Sequence, residues 1–212
     1  MTEMSNELKQ HMDLQFKTAV QDIIVEDHHA TGIVLENGQT IHAKKVVLAP
    51  GRDGSAWLTK VLSNQGLKLY NNQVDIGVRV ETSNIVMEEI NKNLYEGKFV
   101  YNTSVGTKVR TFCSNPSGHV VIENHSGTML ANGHAYHDPK LGSHNTNFAL
   151  LVSHVFSEPF NEPNEFAHEV ARLANMLSHG SIIVQRYGDI KRGRRTTVKR
   201  LKEGYTVPTL PE

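Results

Sequence analysis

The chain of 212 residues has a single cysteine, Cys113, so an internal disulfide is excluded. With no signal-like apolar segment, that cysteine usage points to a reducing, cytoplasmic setting. No apolar run approaches the roughly 18 residues a membrane-spanning helix requires, and no membrane partner is expected. Charge of one sign is also lacking: Lys plus Arg and Asp plus Glu stand at 22 each. Without a large positive field, nucleic acid is not an expected partner. There is no HExxH pattern, no cysteine-rich pattern, no internal repeat and no low-complexity tract. The hydrophobic share is 38%, on the low side for a soluble globular protein, and the length suffices for one good core or two small ones.

What is present begins with alternation. Phe16 to Val25 and Ala30 to Leu35 alternate apolar and polar side chains, which predicts two half-buried strands. Asn37-Gly38 is a strong hairpin signal, and Gln39 to Ala43 supplies the return strand. This β-meander leads into Val46-Val47-Leu48-Ala49, a short apolar run that reads as a buried strand. Pro50 then removes a ladder donor, and Gly51 and Gly54 permit φ values that other residues avoid. Ser55 is placed to cap a helix carrying Trp57, Leu58, Val61 and Leu62 on one face, with Gly66 just past its end. A strand, a glycine-rich turn and a helix N-terminus together present backbone N–H groups where α/β proteins hold anionic ligands. The same geometry also serves as a plain structural corner.

Further along, Met1 to Gln15 predicts a loose start and a short helix whose apolar residues Leu8, Met12 and Leu14 lack cover. Val74 to Thr82 reads as a strand with Ile76, Val78 and Val80 on one face, followed by a helix capped by Ser83 or Asn84. Lys98 to Thr103, Lys108 to Ser114 and His119 to Asn124 read as short strands of an antiparallel sheet, with a turn at Ser114 to Gly118 in which Pro116 fixes φ and Gly118 permits a positive one. Gly127 to Thr146 reads as a loop, Asn147 to Phe156 as a strand, and Asn164 to Ser178 as a helix with Phe166, Val170, Leu173, Ala174 and Leu177 inward and Gly180 as its stop. Ile182 to Arg186 reads as a short extended piece.

Several blocks, in order, resemble a known family: Thr40 with Val46-Val47-Leu48-Ala49-Pro50-Gly51, the longer run through Arg52-Asp53-Gly54-Ser55-Ala56-Trp57-Leu58, Asp75-Ile76-Gly77-Val78-Arg79-Val80-Glu81, Arg110-Thr111-Phe112-Cys113, Asn132-Gly133-His134, Asn147 to Val152, and Gly193-Arg194-Arg195-Thr196-Thr197. Together they resemble the uncharacterised bacterial FAD-dependent dehydrogenases, also called NAD/FAD-utilising dehydrogenases. The resemblance runs from about Leu8 to the end. It departs from the family in two places, since no GxGxxG segment precedes the meander and no second FAD segment follows Pro208-Thr209-Leu210-Pro211-Glu212. The chain is therefore expected to be an internal portion of such a flavoprotein.

The resemblance implies an α+β architecture: a β-meander and strand-turn-helix remnant of a FAD-binding α/β domain, plus an inserted antiparallel-sheet domain with flanking helices. The expected domains are residues 1–66, the partial FAD-binding domain; 67–190, the substrate or cap domain; and 191–212, a basic return segment. It implies FAD in the intact protein, not retained by this portion alone, with Ala49, Pro50, Gly51 and Arg52 beside the cofactor. The implied function is the substrate-side part of a FAD-dependent oxidoreductase acting on an unidentified small molecule, inactive in isolation. A non-catalytic binding or oligomerisation module is the alternative, and a homo-oligomer through the surfaces exposed by truncation would suit either.

Four residues are weaker substrate-site candidates. Arg110 can hold a carboxylate, and Cys113 is a thiol that can join redox chemistry near a flavin; on a regular strand they point to opposite faces. Asn132 and His134 are hydrogen-bonding groups on the expected loop. The plainer reading of Cys113 is a small buried hydrophobe. Among 12 histidines, His134 and His137 with His125 and His144 form the best metal-like cluster, but no supporting pattern accompanies them and no metal is expected. The basic run Lys191 to Lys202 lacks interleaved aromatics and reads as a solvated turn or a docking surface for the missing FAD-binding half rather than a phosphate-binding stripe.

Overall fold

The structure, a computed structural model, describes residues 2–210; the last two residues of the expected basic return segment lie outside the described residues. The chain forms two compact units, Met1–Tyr70 and Asn71–Glu212. It is an α+β protein, with six α-helices and three antiparallel sheets among the described residues.

In the first unit, helix α1 (Thr2–Leu8) comes at once and the turn follows it, the reverse of the expected order. Strands β1 (Val20–Glu26), β2 (His29–Leu35) and β3 (Thr40–His42) form the meander in the order β1-β2-β3. Gly38 takes φ +82°, which its lack of a Cβ allows, and Asn37 Oδ1 accepts the Gln39 N–H to close the second hairpin. Helix α2 (Ser55–Asn64) keeps the expected inward face, with Val61 buried and Trp57, Leu58 and Leu62 half-buried. The Trp57 indole N–H donates to the Gln21 carbonyl at 3.0 Å, tying α2 to β1. Gly66, at φ +74°, stops the helix where expected.

Two expectations here fail. Val46 to Ala49 is extended but is not a strand, and Val47 is 89% exposed. A buried strand needs a ladder neighbour on each side, and the three strands of this unit supply none. Nor does Ser55 cap α2. The cap position falls one residue earlier, on Gly54, which has no side chain to offer the first turn. Gly54 itself has φ −89°; its smallness is used for contact, since a Cβ there would lie 2.4 Å from the Pro50 Cβ.

The second unit is built on a four-stranded sheet in the order β4-β9-β6-β5: β4 (Val74–Ser83), β9 (Asn145–His154), β6 (Lys108–Asn115) and β5 (Val100–Asn102). Ser83 Oγ accepts the Ile85 N–H and caps α3 (Asn84–Asn93), as expected. A separate hairpin joins β7 (His119–His125) to β8 (Thr128–His134). Strand β8 lies inside the stretch expected to be a loop. Its Ser126-Gly127 turn, with φ +47° and +88°, is a two-residue hairpin connection whose sequence signal was outweighed by the polar composition around it. In the Ser114 to Gly118 turn the positive φ belongs to Ser117. Gly118 is needed for space instead, because a Cβ would sit 2.8 Å from the His134 carbonyl oxygen. Residues 182–186 form no strand, and of the three β4 residues on one face Ile76 and Val80 are half-buried while Val78 is exposed.

Helix α4 (Pro163–Leu177) forms and stops at Gly180 as expected, but its buried face is turned by nearly one residue. Ala167, Val170, Ala171, Ala174 and Asn175 face inward, whereas Leu173 and Leu177 are exposed. The cause is Asn175. Its Oδ1 accepts the Met129 N–H at 2.7 Å, and its Nδ2 donates to the Met129 and Ser181 carbonyls at 2.9 Å each. The amide thus stands in for a strand partner of β8, and the alanines allow the close approach it needs.

Short helices α5 (Tyr187–Lys191) and α6 (Val198–Lys202) are locked by Asp189, which is 1% exposed. Arg194 Nε donates to Asp189 Oδ1 at 2.6 Å, while Arg200 Nε and Thr196 Oγ1 reach Oδ2 at 3.1 and 3.0 Å. Burial alone raises the Asp189 pKa, but the bonds from Arg194, Arg200 and Thr196 prevail and bring it to about 2. A carboxylate lowered in the folded state adds stability that is complete above the ordinary carboxylate range and is lost as pH falls through about 2. Asp189→Asn should therefore lower the thermal midpoint at pH 7, and the gap to the unmodified chain should close as the pH drops from about 4 toward 2. Thermal unfolding followed by circular dichroism across that range measures it.

Candidate functional site

In the first unit, an open groove of about 280 Å³ lies beside the Pro50 corner, lined by Val20, Val47, Leu48, Ala49, Pro50 and Trp57. Its walls are apolar, as a flat aromatic ring system requires. Ala49, Pro50, Gly51 and Arg52 are all exposed along it or next to it. Gly51, at φ +70°, turns the chain sharply, and a Cβ added there would meet nothing within 4 Å; the conformation, not the space, demands glycine. Beyond the turn, α2 begins at Gly54, which has no side chain to cap it, and a helix N-terminus favours an anion. The observed groove and small-residue corner fit one wall of a flavin site. Ala49, Pro50 and Gly51 would bring backbone against the ring, and FAD would supply the redox chemistry.

The four weaker candidates lie in the second unit and are not gathered into one pocket. Arg110 is engaged: its Nη2 lies 2.5 Å from Asp75 Oδ2, and Ser153 Oγ donates to Asp75 Oδ1 at 2.6 Å. Asn132 Nδ2 donates to Glu123 Oε1 at 2.6 Å. His134 packs edge-on against Tyr136, whose ring also meets His119. Cys113 sits at φ +48°, where the register of β6 against β9 shifts between Phe112 and Asn115. The strand is therefore irregular there, and the opposite-face argument for Arg110 and Cys113 does not hold. Among the described residues, no group of three or more His, Cys, Asp or Glu is arranged to hold a metal.

A residue outside the candidate set, Arg79, occupies the centre. Its Nε and Nη2 donate to Asn147 Oδ1 at 2.9 and 2.6 Å, and Nη2 donates to the Cys113 carbonyl at 2.9 Å. Asn115 Nδ2 donates to the same carbonyl at 2.9 Å and to Asn147 Oδ1 at 3.3 Å. Asn147 is fully buried, and its Nδ2 has no partner. Gly133 covers the guanidinium so closely that a Cβ would lie 1.6 Å from Arg79 Nη2. One cation thus gathers β4, β9, the Cys113 bulge and β8. Arg79 lies on the face of β4 opposite Ile76, Val78 and Val80, so the local pattern gave no sign of its partners.

Comparison with known families adds one finding. Residues 1–92 match the family model described as Glucose inhibited division protein A. The match covers less than half of the chain and includes the meander, the Pro50 corner, α2, β4 and most of α3. It supports a FAD-dependent oxidoreductase-type origin. No curated protein matches the chain.

Three glycine substitutions test these packing and backbone arguments. Gly133→Ala should destabilise the protein by about 3 kcal/mol, because the Arg79 and Asn147 bonds must break to admit one methyl group. Gly188→Ala in α5, whose added Cβ would meet only Arg192 Nη1 at 3.9 Å, should stabilise it by up to about 1 kcal/mol. Urea unfolding distinguishes the pair. In the first unit, Gly51→Val should cost about 1–2 kcal/mol through its backbone conformation. Trp57, the sole tryptophan, reports that unfolding by its emission.

Proposed function

We propose that the chain is the substrate-side, internal portion of a FAD-dependent oxidoreductase of the dehydrogenase type. Residues 1–66 contribute one wall of the flavin site, with Ala49, Pro50, Gly51 and Arg52 nearest the cofactor, and the antiparallel domain from residue 67 onward shapes the substrate side. The observation that carries this reading is the exposed apolar groove at the Pro50 corner, with Val47 left 89% exposed beside it. The family match over the same residues agrees with it.

In the intact enzyme this chain's part is to present backbone and apolar surface to the flavin and to keep water from that face. The first-turn N–H groups of α2 would hold negative charge. Arg110 would remain an ion-paired strut to Asp75 rather than a free carboxylate clamp. Hydride transfer to or from an unidentified small molecule would belong to the flavin.

The test uses the protein extended on both sides within its own reading frame. Purified from cells, it should be yellow, with the absorption of an oxidised flavin that bleaches under dithionite. Gly51→Val in that protein should lower flavin occupancy by at least about tenfold, because the corner can no longer lie against the ring. The 212-residue chain alone should be colourless. An extended protein that folds, is colourless and takes up no FAD on reconstitution would overturn the proposal.

A further inference from the structure

The neutral net charge conceals two oppositely charged faces, both on the second unit. From Leu141 to Ala171 there are four glutamates and no lysine or arginine, whereas Arg186 to Glu203 holds eight lysines or arginines against Asp189 and Glu203. On α4 the turned-out stripe runs from Glu162 and Glu165 through Phe166 and Leu173 to Met176 and Leu177, all exposed. These positions recur at helical spacing and form one face. Glu162 and Glu165 make no ion pair among the described residues, while Glu169 is held by Arg172 within the helix.

The α5–α6 segment is its complement. Asp189 draws Arg194 and Arg200 inward. Arg192 and Arg195 are left exposed, with no carboxylate partner among the described residues, beside exposed Tyr187, Ile190 and Val198. Each face thus combines unpaired charge of one sign with apolar side chains. No hydrogen bond or ion pair recorded for the described residues joins α4 to residues 186–203.

We propose that this chain self-associates, the α4 face of one copy docking on the α5–α6 face of a second. Both faces are present in equal number on every copy, so a twofold arrangement makes the contact twice and leaves neither face uncovered. Charge complementarity sets the pairing, and the apolar residues within each face supply the buried area. The association is independent of any cofactor.

Sedimentation velocity on the 212-residue chain tests it. A dimer should form at low ionic strength, roughly 50 mM, and weaken by about tenfold or more at roughly 500 mM. Glu162→Lys with Glu165→Lys, or Arg192→Glu with Arg195→Glu, should each give a monomer at low salt, because like charges then face each other. Both double variants alter only exposed side chains, and their far-ultraviolet circular dichroism should match the unmodified chain. Mixed one to one, the two variants should associate again, since each reversed face now meets an opposite one. A monomer at low salt, or double variants that dimerise alone, would overturn the proposal. So would a mixture that fails to associate while both variants remain folded.

Discussion

The second unit depends on three consecutive residues at the start of β9, Asn145, Thr146 and Asn147, all buried and each bonded to a different part of the chain. Asn145 Nδ2 donates to Glu81 and to the Val207 carbonyl. Thr146 Oγ1 donates to Asn84 Oδ1 and accepts from Asn91. Asn147 Oδ1 takes Arg79 and Asn115. Because successive strand residues point to opposite faces, Asn145 and Asn147 organise one side of the sheet and Thr146 the other. Buried polar groups are costly when unmatched and specific when matched, so this triplet fixes register more sharply than aliphatic side chains would. Sliding β9 by one residue would exchange the two sets of partners.

The same economy runs through the rest of the unit. Among the described residues the buried class contains eight polar side chains and three apolar ones, Leu35, Val61 and Val120, and only Val120 lies in the second unit. Thr111 illustrates how such a core works: its Oγ1 donates to the Gly97 carbonyl and accepts the Phe99 N–H, fastening the entry to β5 onto β6. At the far end of the chain, Thr209 N–H donates to Glu81, and Thr209 Oγ1 accepts the Val120 N–H. Glu81 therefore joins β4, β9 and the C-terminal stretch, and that stretch supplies an acceptor that β7 would otherwise lack.

Local chemistry made most of the fold legible. The Asn37-Gly38 turn, the Ser83 cap and the stops at Gly66 and Gly180 each depend on one or two residues, and each was found in the sequence where it stands in the structure. What escaped depended on distant partners. Strand β8 escaped because its polar composition hid a strand that is bonded at Met129 by Asn175, from a helix 46 residues away. The rotation of α4 follows from the same amide, since an asparagine on an otherwise apolar face gives no local sign of what it bonds. Val46 to Ala49 had the composition of a buried strand, but composition cannot state whether a ladder neighbour exists. The turn at Gly51 was legible because its requirement is conformational, whereas Arg79 was not, because its partners lie in three other strands.

The two units thus answer to different constraints. In the first, a positive φ at Gly51 and close packing at Gly54 shape a corner whose apolar side stays open. In the second, hydrogen bonds specify the strand order, and apolar residues are released to the surface on α4, α5 and α6. A core held by apolar burial would have drawn Leu173 and Leu177 inward, for each gains roughly 1.5–3 kcal/mol on full burial. Asn175 prevents that, because turning the helix to bury the leucines would strip its amide from Met129 and Ser181 and leave polar groups on β8 unmatched. Exposed apolar surface on this unit is consequently a result of its polar interior, because the hydrogen bonds of Asn175 decide which way α4 turns.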